Sequence, residues 1–398
     1  MANLSKRITT INSGGDDGWG LFYRARAMKA AGLPIVELSI GEHDIRTDQS
    51  ILDAMAASAK AGHTGYAAVA GTKALRQTIA KRVQTRTGVP TTPDNVIVTP
   101  GGQSALFSAH VAVANPGQPC AFIDPFYATY PGTVRAAGGV ARAIPTSAQD
   151  GFAPTQAALA KGLEGCASLL VNTPNNPTGA VYSAQTLATI CEAVRAHDCW
   201  LISDEVYDTQ IWDGTHLSPR ALEGMAERTL VIGSMSKSHA MTGSRIGWII
   251  GPQDVIAHLT DLATNTTYGV PGYIQDAADF ALNAGDALEV SVGAPFQRRR
   301  ILARQALAAQ NVVRVTPSGG AMYLFFDIRA TGLSGAEFTE RLLDQHHISV
   351  MPGESFGASA AGHIRVAMTV GDAAFITAVQ TILDFAALLA KGAQVEKP

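Results

Sequence analysis

Residues 234–245 read Ser-Met-Ser-Lys-Ser-His-Ala-Met-Thr-Gly-Ser-Arg, and this stretch says most about the fold of the 398-residue chain. It follows an apolar, strand-like run and places Lys237 among small hydroxyl residues. Arg245 comes 8 positions later, in a glycine-containing turn. The Lys237 amine can form a Schiff base with an aldehyde, while Ser234 and Arg245 can hold a phosphate nearby. The stretch therefore suits an aldehyde cofactor that carries a phosphate.

Two further motifs precede this stretch. Residues 172–179 read Asn-Thr-Pro-Asn-Asn-Pro-Thr-Gly, and residues 200–207 read Trp-Leu-Ile-Ser-Asp-Glu-Val-Tyr. Four polar residues then follow one another at separations of 28, 33 and 8 positions: Asn176, Asp204, Lys237 and Arg245. In this order the chain resembles the fold-type I pyridoxal-phosphate aminotransferases, in particular the class I, aspartate aminotransferase-like group. The resemblance extends over residues 41–365.

Strand-like apolar runs alternate with helical patterns along the middle of the chain. The predicted strands are 95–99, 120–123, 169–171, 200–203, 229–232 and 247–250. Helices are predicted between them, as at 104–113, 183–196 and 254–263. This alternation predicts an α/β fold with a mostly parallel sheet covered by helices. Functional residues are then expected at the carboxyl ends of the strands.

The two ends of the chain differ from this pattern. The segment through Gly18 is polar, which predicts an arm or loop, and helices at 21–31 and 49–61 flank a strand at 35–40. After residue 286 a long helix follows, in which Arg298-Arg299-Arg300 is expected to form a solvated face. Two strands, 322–327 and 363–368, predict a second, antiparallel unit.

The resemblance implies a large domain and a small one. The large domain is expected at residues 45–285, with a mostly parallel, seven-stranded type of sheet sandwiched by helices that binds the cofactor. The smaller α+β domain is expected to combine residues 1–44, including an N-terminal arm, with residues 286–398.

Composition narrows the function classes. Charged residues make up 16% of the chain, against roughly 25% in an average soluble protein, so a subunit interface is expected. A formal charge of −3 indicates neither a nucleic-acid partner nor an anionic membrane surface. The cysteines lack the short spacings of a metal or redox site. No apolar leader follows the N-terminal basic residues, and no uninterrupted apolar run approaches the roughly 20 residues that span a bilayer, which predicts a cytoplasmic protein.

A glycine loop is the candidate phosphate site. Residues 99–104 read Thr-Pro-Gly-Gly-Gln-Ser and lie between a predicted strand and a helix, where glycines let the backbone approach a phosphate and the first helical turn supplies N–H donors. Its position matches the phosphate loop of the resembled family. The resemblance implies that the phosphate is bound by Gly101, Gly102, Gln103, Ser234, Ser236 and Arg245.

The resemblance also implies which residues meet the cofactor ring. Asp204 pairs with the pyridine nitrogen and keeps it protonated, Asn176 and Tyr207 hydrogen-bond the phenolic oxygen, and Tyr127 stacks on the ring. Tryptophan is common at the position of Tyr127. Tyr66 matches the residue that reaches the phosphate in the partner subunit, which implies a homodimer with shared active sites.

For the substrate, the resemblance assigns the α-carboxylate to Arg365, with Asn176 and the backbone of Gly41 beside it. An arginine suits this task because its planar guanidinium binds a carboxylate through two parallel hydrogen bonds. The family usually has a proline where this chain has His43.

The chain departs from the family where the side chain of the substrate is selected. Close relatives carry a lysine at the position of Gln103, which meets the distal carboxylate of aspartate, and a hydroxyl residue near the position of Gly18. Aspartate or glutamate is the first expected donor. Glyoxylate, pyruvate, oxaloacetate and 2-oxoglutarate are possible acceptors, and neutral amino acids stay open as donors.

The expected reaction is a ping-pong transamination in which Lys237 carries the cofactor and moves the proton of the substrate α-carbon. A carbon–sulfur β-lyase on the same fold would keep Lys237, Asp204 and Arg365. A non-catalytic cofactor-sensing regulator would need a DNA-binding domain, for which the residues before Gly41 leave no room. A nicotinamide dehydrogenase is disfavoured because no G-x-G-x-x-G follows an early strand. No metal is expected.

Overall fold

The structure is a computed structural model that describes residues 2–12, 18–316 and 318–395. Part of the predicted N-terminal arm, residues 13–17, lies outside the described residues. The helices are α1 Lys6–Thr9, α2 Trp19–Ala30, α3 Gln49–Lys60, α4 Lys73–Thr87, α5 Gly101–Val113, α6 Tyr130–Ala137, α7 Gln156–Gly162, α8 Ala184–Ala196, α9 Met235–Ser238, α10 Gln253–Thr264, α11 Gly272–Asn283, α12 Ala287–Ala308, α13 Gly335–His346 and α14 Asp372–Val395. The strands are β1 Val36–Glu37, β2 Val96–Thr99, β3 Pro119–Asp124, β4 Val140–Pro145, β5 Ser168–Asn172, β6 Trp200–Asp204, β7 Thr229–Ser234, β8 Gly247–Ile250, β9 Arg314–Val315, β10 Tyr323–Asp327, β11 Ile348–Ser349, β12 Met351–Pro352 and β13 His363–Ala367.

A seven-stranded sheet forms the centre of the fold, in the order β2-β8-β7-β6-β5-β3-β4. The strands from β7 to β4 are parallel to their neighbours, and β8 is antiparallel to both β7 and β2. Every residue of β2, β5, β7 and β8 is buried, because helices cover both faces of the sheet. The predicted α/β fold with a mostly parallel sheet is confirmed.

Strand β4 was not predicted. It lies at the edge of the sheet and reads Val-Ala-Arg-Ala-Ile-Pro, with only Ile144 buried. An edge strand that is half exposed does not need the continuous apolar run that marks the inner strands. Its pairing with β3 over six residues, rather than its own sequence, makes it a strand.

Two smaller sheets involve the chain ends. One is antiparallel, in the order β12-β13-β10-β9, which confirms the predicted antiparallel unit. The other pairs β1 with β11 in parallel, so the segment before the large sheet joins the C-terminal part of the chain. The boundaries proposed from the sequence at residues 44/45 and 285/286 stay a prediction.

The prediction of a solvated arginine face on α12 is wrong for Arg299 and Arg300, which are both buried. The Arg299 guanidinium donates two hydrogen bonds to Asp44, at 2.9 and 2.7 Å, and its Nε donates to Asp372 at 2.8 Å. Arg300 pairs with Asp213. A buried guanidinium is tolerated where acidic partners surround it, and those partners are remote in sequence.

The C-terminal helix is long and strongly apolar. Its segment Asp372–Gly392 is long and apolar enough to cross a membrane, although 44% of its most apolar window is buried inside the protein. It packs against α12 and carries core residues such as Phe375 and Ile382. A core helix of a soluble protein has these properties, so the segment is weak evidence for a membrane span. The four cysteines are free and buried.

Candidate active site

A cavity of about 300 Å³, the central cavity, lies where β5, β6 and β7 end. Asn172, Asp204 and Ser234 are the last residues of these three strands, so the parallel sheet brings three distant motifs to one edge. The predicted site residues that line this cavity are Gly41, Gly102, Gln103, Tyr127, Asn176, Asp204, Tyr207, Ser234, Ser236, Lys237, Arg245 and Arg365.

Lys237 lies in the short helix α9, directly after β7. Its ammonium donates a hydrogen bond to the Gly41 carbonyl, and its own backbone carbonyl accepts from His43 Nε2 at 3.0 Å and from Gln210 Nε2 at 3.1 Å. Burial lowers the pKa of the Lys237 amine, with the positive charge of Arg365 acting in the same direction. The amine is thus held in place and loses its proton more readily than a surface lysine.

Asp204 is a buried carboxylate, only 4% exposed. The Tyr130 hydroxyl donates to its Oδ2 at 2.6 Å, and the Val206 backbone N–H lies 3.3 Å from its Oδ1. Burial raises its pKa to about 6, against the lowering effect of the Tyr130 hydrogen bond. Within the described residues no cation forms a salt bridge with it. A protonated ring nitrogen in the cavity would supply the missing positive charge.

The glycine loop and Arg245 form a cup for an anion. Arg245 has a left-handed backbone, φ 50°, and its guanidinium donates to the Thr242 carbonyl at 2.8 Å. A Cβ at Gly101 would collide with this guanidinium, and the loop itself is left-handed there, φ 79°. Gly101 therefore acts by leaving space for Arg245 rather than by lining the cavity. Helix α5 begins at Gly101 without a side-chain cap, and the N–H groups at the start of a helix can bind an anion.

Ser234 and Ser236 complete the cup. Ser234 Oγ donates to the Ile246 carbonyl at 3.0 Å and accepts the Ser236 backbone N–H at 3.1 Å, which caps α9. Both hydroxyls line the central cavity beside Arg245. Capping of α9 by Ser234 thus fixes two hydroxyls on the wall of the cavity that Arg245 also lines.

Arg365 comes from β13, across the cavity from Asp204. Its Nη1 donates to Asn176 Oδ1 at 2.8 Å and its Nη2 donates to the Ser39 carbonyl, while its Nε has no hydrogen-bond partner among the residues described. The guanidinium lies 4.4 Å from the Tyr323 ring centroid and 4.6 Å from that of Phe356. The two rings contact the guanidinium, and because each Nη carries two N–H groups, both keep a donor for a carboxylate.

Two tyrosines and a glycine form the cavity wall beside Arg365. The Tyr207 and Tyr323 hydroxyls are 3.1 Å apart and buried. A Cβ at Gly41 would collide with the Tyr323 hydroxyl. A glycine is therefore needed where the Lys237 ammonium meets the backbone carbonyl.

Gln103 and Tyr66 make contacts that do not by themselves show their predicted roles. The Gln103 amide donates to Thr133 Oγ1 at 2.7 Å and its Oε1 accepts from Thr129 Oγ1 at 3.1 Å, so both ends of the amide are engaged by residues at the start of α6. Tyr66 is 91% exposed, packs on the Tyr268 ring at 5.0 Å, and does not line the central cavity of its own chain.

Sequence reasoning missed several residues of the cavity. Tyr130 lies three positions after the predicted ring-stacking residue Tyr127, and that i, i+3 spacing was the available signal. Tyr323 and Phe356 come from β10 and a single turn of 3₁₀ helix in the C-terminal part of the chain, and their sequences carry no signal.

The side chains present fit pyridoxal 5′-phosphate. The cup of glycines, serines and Arg245 matches a phosphate, the unpaired buried carboxylate of Asp204 matches a protonated pyridine, and the Lys237 amine matches an aldehyde. All three features face one cavity of about 300 Å³. No group of three or more potential metal ligands occurs in the part of the chain that the structure describes.

Comparison with known proteins agrees with this geometry. The family model for aminotransferase class I and II matches residues 34–382. An arginine–pyruvate transaminase from Pseudomonas aeruginosa is 41% identical over 362 residues, covering 91% of this chain and 92% of that protein. A probable aspartate/prephenate aminotransferase from Thermus aquaticus is 34% identical, covering 94% of this chain and 96% of that protein. The structure of an aspartate aminotransferase from Thermus thermophilus with maleate superposes with a TM-score of 0.90 at 30% identity, covering 97% of this chain and 100% of that chain.

Proposed function

Because the chain belongs to the aminotransferase class I and II family and is a transaminase that uses pyridoxal 5′-phosphate, we propose that the residues of the central cavity move an amino group from an L-amino acid to a 2-oxo acid in a ping-pong reaction. The observation that carries the proposal is the meeting of the Lys237 amine, the Asp204 carboxylate and the Arg365 guanidinium in one cavity. These three groups come from residues 33 and 128 positions apart along the chain.

When bound, pyridoxal 5′-phosphate supplies an aldehyde for the amine and a ring that withdraws electrons from the substrate α-carbon. Arg245, Ser234, Ser236 and the N-terminus of α5 would hold the cofactor phosphate, with Gly102 lining the cavity beside them and Gly101 leaving space for the Arg245 guanidinium. Asp204, held by the Tyr130 hydrogen bond, would keep the ring nitrogen protonated. Asn176 and Tyr207 would hydrogen-bond the phenolic oxygen, and Tyr127 would pack on the ring face.

Lys237 moves the proton. Its amine is buried, and because its pKa is lowered, more of the amine is unprotonated at neutral pH. The unprotonated amine can accept the proton of the substrate α-carbon and later release it again. Arg365 would bind the substrate α-carboxylate through its remaining N–H groups, and Asn176 and the Gly41 backbone lie beside it. The substrate α-carbon would then lie near the Lys237 amine, and holding two reacting groups together in this way lowers the barrier to their reaction.

We also propose a homodimer, in which the exposed Tyr66 reaches the cofactor phosphate of the partner subunit, and a cytoplasmic location. The large domain is proposed at residues 45–285. The proposed donors are aspartate, glutamate or arginine, and the proposed acceptors are pyruvate, glyoxylate, oxaloacetate or 2-oxoglutarate. Arginine and pyruvate enter this set through the name of the Pseudomonas aeruginosa relative.

The half-reaction tests the proposal. Single amino acids are added to purified holoenzyme without an acceptor, and the near-ultraviolet and visible spectrum is followed while released 2-oxo acid is measured. Conversion of the lysine-linked form of the cofactor to its amine form, with one 2-oxo acid released per site, supports a transaminase. Continuous release of ammonia and pyruvate without an acceptor would identify a β-lyase instead, and a spectrum that no amino acid changes would indicate a sensor.

A further inference from the structure

Residues 356–359 connect the wall beside Arg365 with the end of the large sheet. Phe356 ends one turn of 3₁₀ helix, and residues 358–360 form the next. Phe356 is fully buried and lines the central cavity, where its ring centroid lies 4.6 Å from the Arg365 guanidinium. A shift of this segment would therefore move one of the two rings that contact the arginine.

Asp124 binds this segment from the end of β3. It is the last residue of that strand and is only 4% exposed. Both of its carboxylate oxygens accept the Ser359 backbone N–H, at 3.3 and 3.2 Å. Burial raises the pKa of Asp124 to about 6, and hydrogen bonds from Ser359 and from the Ala358 backbone act against that rise. The carboxylate thus holds the turn at residues 358–360 as an N-cap aspartate holds the first turn of a helix.

The carboxylate and the segment are in direct contact at Gly357. The backbone of this glycine is left-handed, φ 113°, and a Cβ there would overlap Asp124 Oδ1. No side chain other than hydrogen fits between the two. A change in the position of the Asp124 carboxylate is therefore passed on to the residue that follows Phe356.

Two hydrogen bonds beside Asp124 fix the same segment. The Phe126 N–H donates to the Phe356 carbonyl at 2.9 Å, and the Thr146 N–H donates to Ser359 Oγ at 3.2 Å. The next residue after Phe126 is Tyr127, which lines the cofactor side of the central cavity. The short stretch 124–127 thus reaches the cofactor side directly and the substrate side through Phe356.

Asp124 has no cationic partner that would account for its burial. It forms no salt bridge with any residue that the structure describes. Burial of a carboxylate without a cation costs free energy, which backbone N–H groups offset only in part. A neutral side chain could hold the turn at a lower cost, so the carboxylate is better explained by a need to fix the segment firmly than by overall stability.

We propose that Asp124 is a positioning residue for substrate binding, which holds residues 356–359 so that Phe356 packs on the Arg365 guanidinium and keeps it in place for the α-carboxylate. This proposal rests on the transaminase function above, in which Arg365 binds that carboxylate. Asp124 does not line the central cavity, so it acts through Phe356 and not by contact with substrate or cofactor. Loss of its charge should weaken substrate binding more than it slows the chemical step.

Asp124→Asn tests this role, because it replaces one of the two acceptor oxygens by an NH₂ group that cannot accept the Ser359 N–H. The half-reaction of purified holoenzyme is followed with those of L-aspartate, L-arginine and L-alanine that react with the wild type, and the dependence of the rate on amino acid concentration gives KM and kcat. KM should rise by about fivefold or more for each of them, since all carry the α-carboxylate, while kcat and the Kd of the cofactor should stay within about twofold.

Asp48→Asn is the matched control. The Asp48 carboxylate also accepts a backbone N–H, that of Ser50 at 2.9 Å, but it does so at the start of α3. The same chemical change there should leave KM at its wild-type value. A rise in KM in this control as large as that of Asp124→Asn would overturn the proposal, as would an unchanged KM in Asp124→Asn.

A double-mutant cycle separates positioning from general disruption. Phe356→Leu removes the ring that contacts Arg365 and should itself raise KM. If Asp124 acts through this ring, Asp124→Asn should raise KM by less than about twofold in the Phe356→Leu background. Equal factors in the two backgrounds would show that Asp124 does not act through Phe356 and would overturn the proposal.

A second variant keeps the test decisive. If Asp124→Asn melts at a much lower temperature than the wild type, Ser359→Ala replaces it in the cycle. This change removes the acceptor of the Thr146 N–H from the same segment and should raise KM by about twofold, while an unchanged KM would overturn the proposal. If none of the three amino acids reacts with wild-type holoenzyme, the proposed transaminase function fails instead.

Discussion

The Asp204 carboxylate allows a test of the site that needs no substrate. Burial raises its pKa from 3.8 to about 6. In the cofactor-free protein the folded state therefore holds the proton more tightly than the unfolded state, so the free energy of unfolding falls as pH rises from about 4 through about 6. A shift of about 2 units corresponds to about 3 kcal/mol in total, of which about 1.4 kcal/mol develops between about pH 5 and pH 7.5.

Asp204→Asn removes this titration and keeps the size of the side chain. Relative to the wild type, the cofactor-free variant should gain about 1.4 kcal/mol in the free energy of unfolding between about pH 5 and pH 7.5. Urea unfolding at several pH values measures the difference, and equal m-values show that both proteins unfold in the same way. With cofactor bound, the ring nitrogen pairs with the carboxylate and lowers its pKa, so most of the gain should disappear.

Asp124→Asn is the matched control. Burial also raises the pKa of Asp124 to about 6, but this residue does not line the central cavity. Its pH-dependent gain should be similar in size and unaffected by the cofactor. A gain for Asp204→Asn that the cofactor leaves untouched would show that Asp204 does not face the ring, and no gain in the cofactor-free protein would refute the role of burial.

Four other changes test separate parts of the site. Lys237→Ala should lower kcat by several orders of magnitude while the protein still folds, and a variant that transaminates at a near wild-type rate would refute the assignment of the amine. Tyr66→Phe should weaken cofactor retention on dialysis without changing the dimer seen by sedimentation; a fully active monomer would count against shared sites. Gln103→Lys should raise the ratio of kcat/KM for aspartate to kcat/KM for alanine by about tenfold, which corresponds to about 1.4 kcal/mol, because charge-assisted hydrogen bonds are stronger than neutral ones. If this ratio does not change, residue 103 does not face the substrate side chain. His43→Phe keeps an aromatic ring against Phe296 but removes the donor to the Lys237 carbonyl. The free energy of unfolding, measured by thermal unfolding, should therefore fall by about 1 kcal/mol, and kcat should fall by a larger factor than KM rises. A change in KM alone would show that His43 does not position Lys237.

The large sheet could be read from the sequence because its inner strands are buried on both faces. Such strands are continuous apolar runs, and the motif residues Asn172, Asp204 and Ser234 each close one of them. Parallel strands end at the same edge, so the order of the motifs along the chain was enough to predict that their side chains meet. The glycine loop and the glycine-containing turn that ends at Arg245 could likewise be recognised, since both depend on local sequence, whereas the left-handed backbone of Arg245 was seen only in the structure.

Features that depend on contacts between distant segments needed the tertiary structure. Strand β4 has no apolar run and exists through its partner β3, and the burial of Arg299 depends on Asp44, 255 residues away. Tyr323 reaches the cavity from a sheet that the motifs do not include. The hydrogen bond between Thr129 and Gln103 also joins two elements that are separate in sequence. The pattern of apolar residues in a sequence indicates which face of one helix or strand is buried. A hydrogen bond or a salt bridge between two elements also depends on where the second element packs, and the packing of the whole core decides that position.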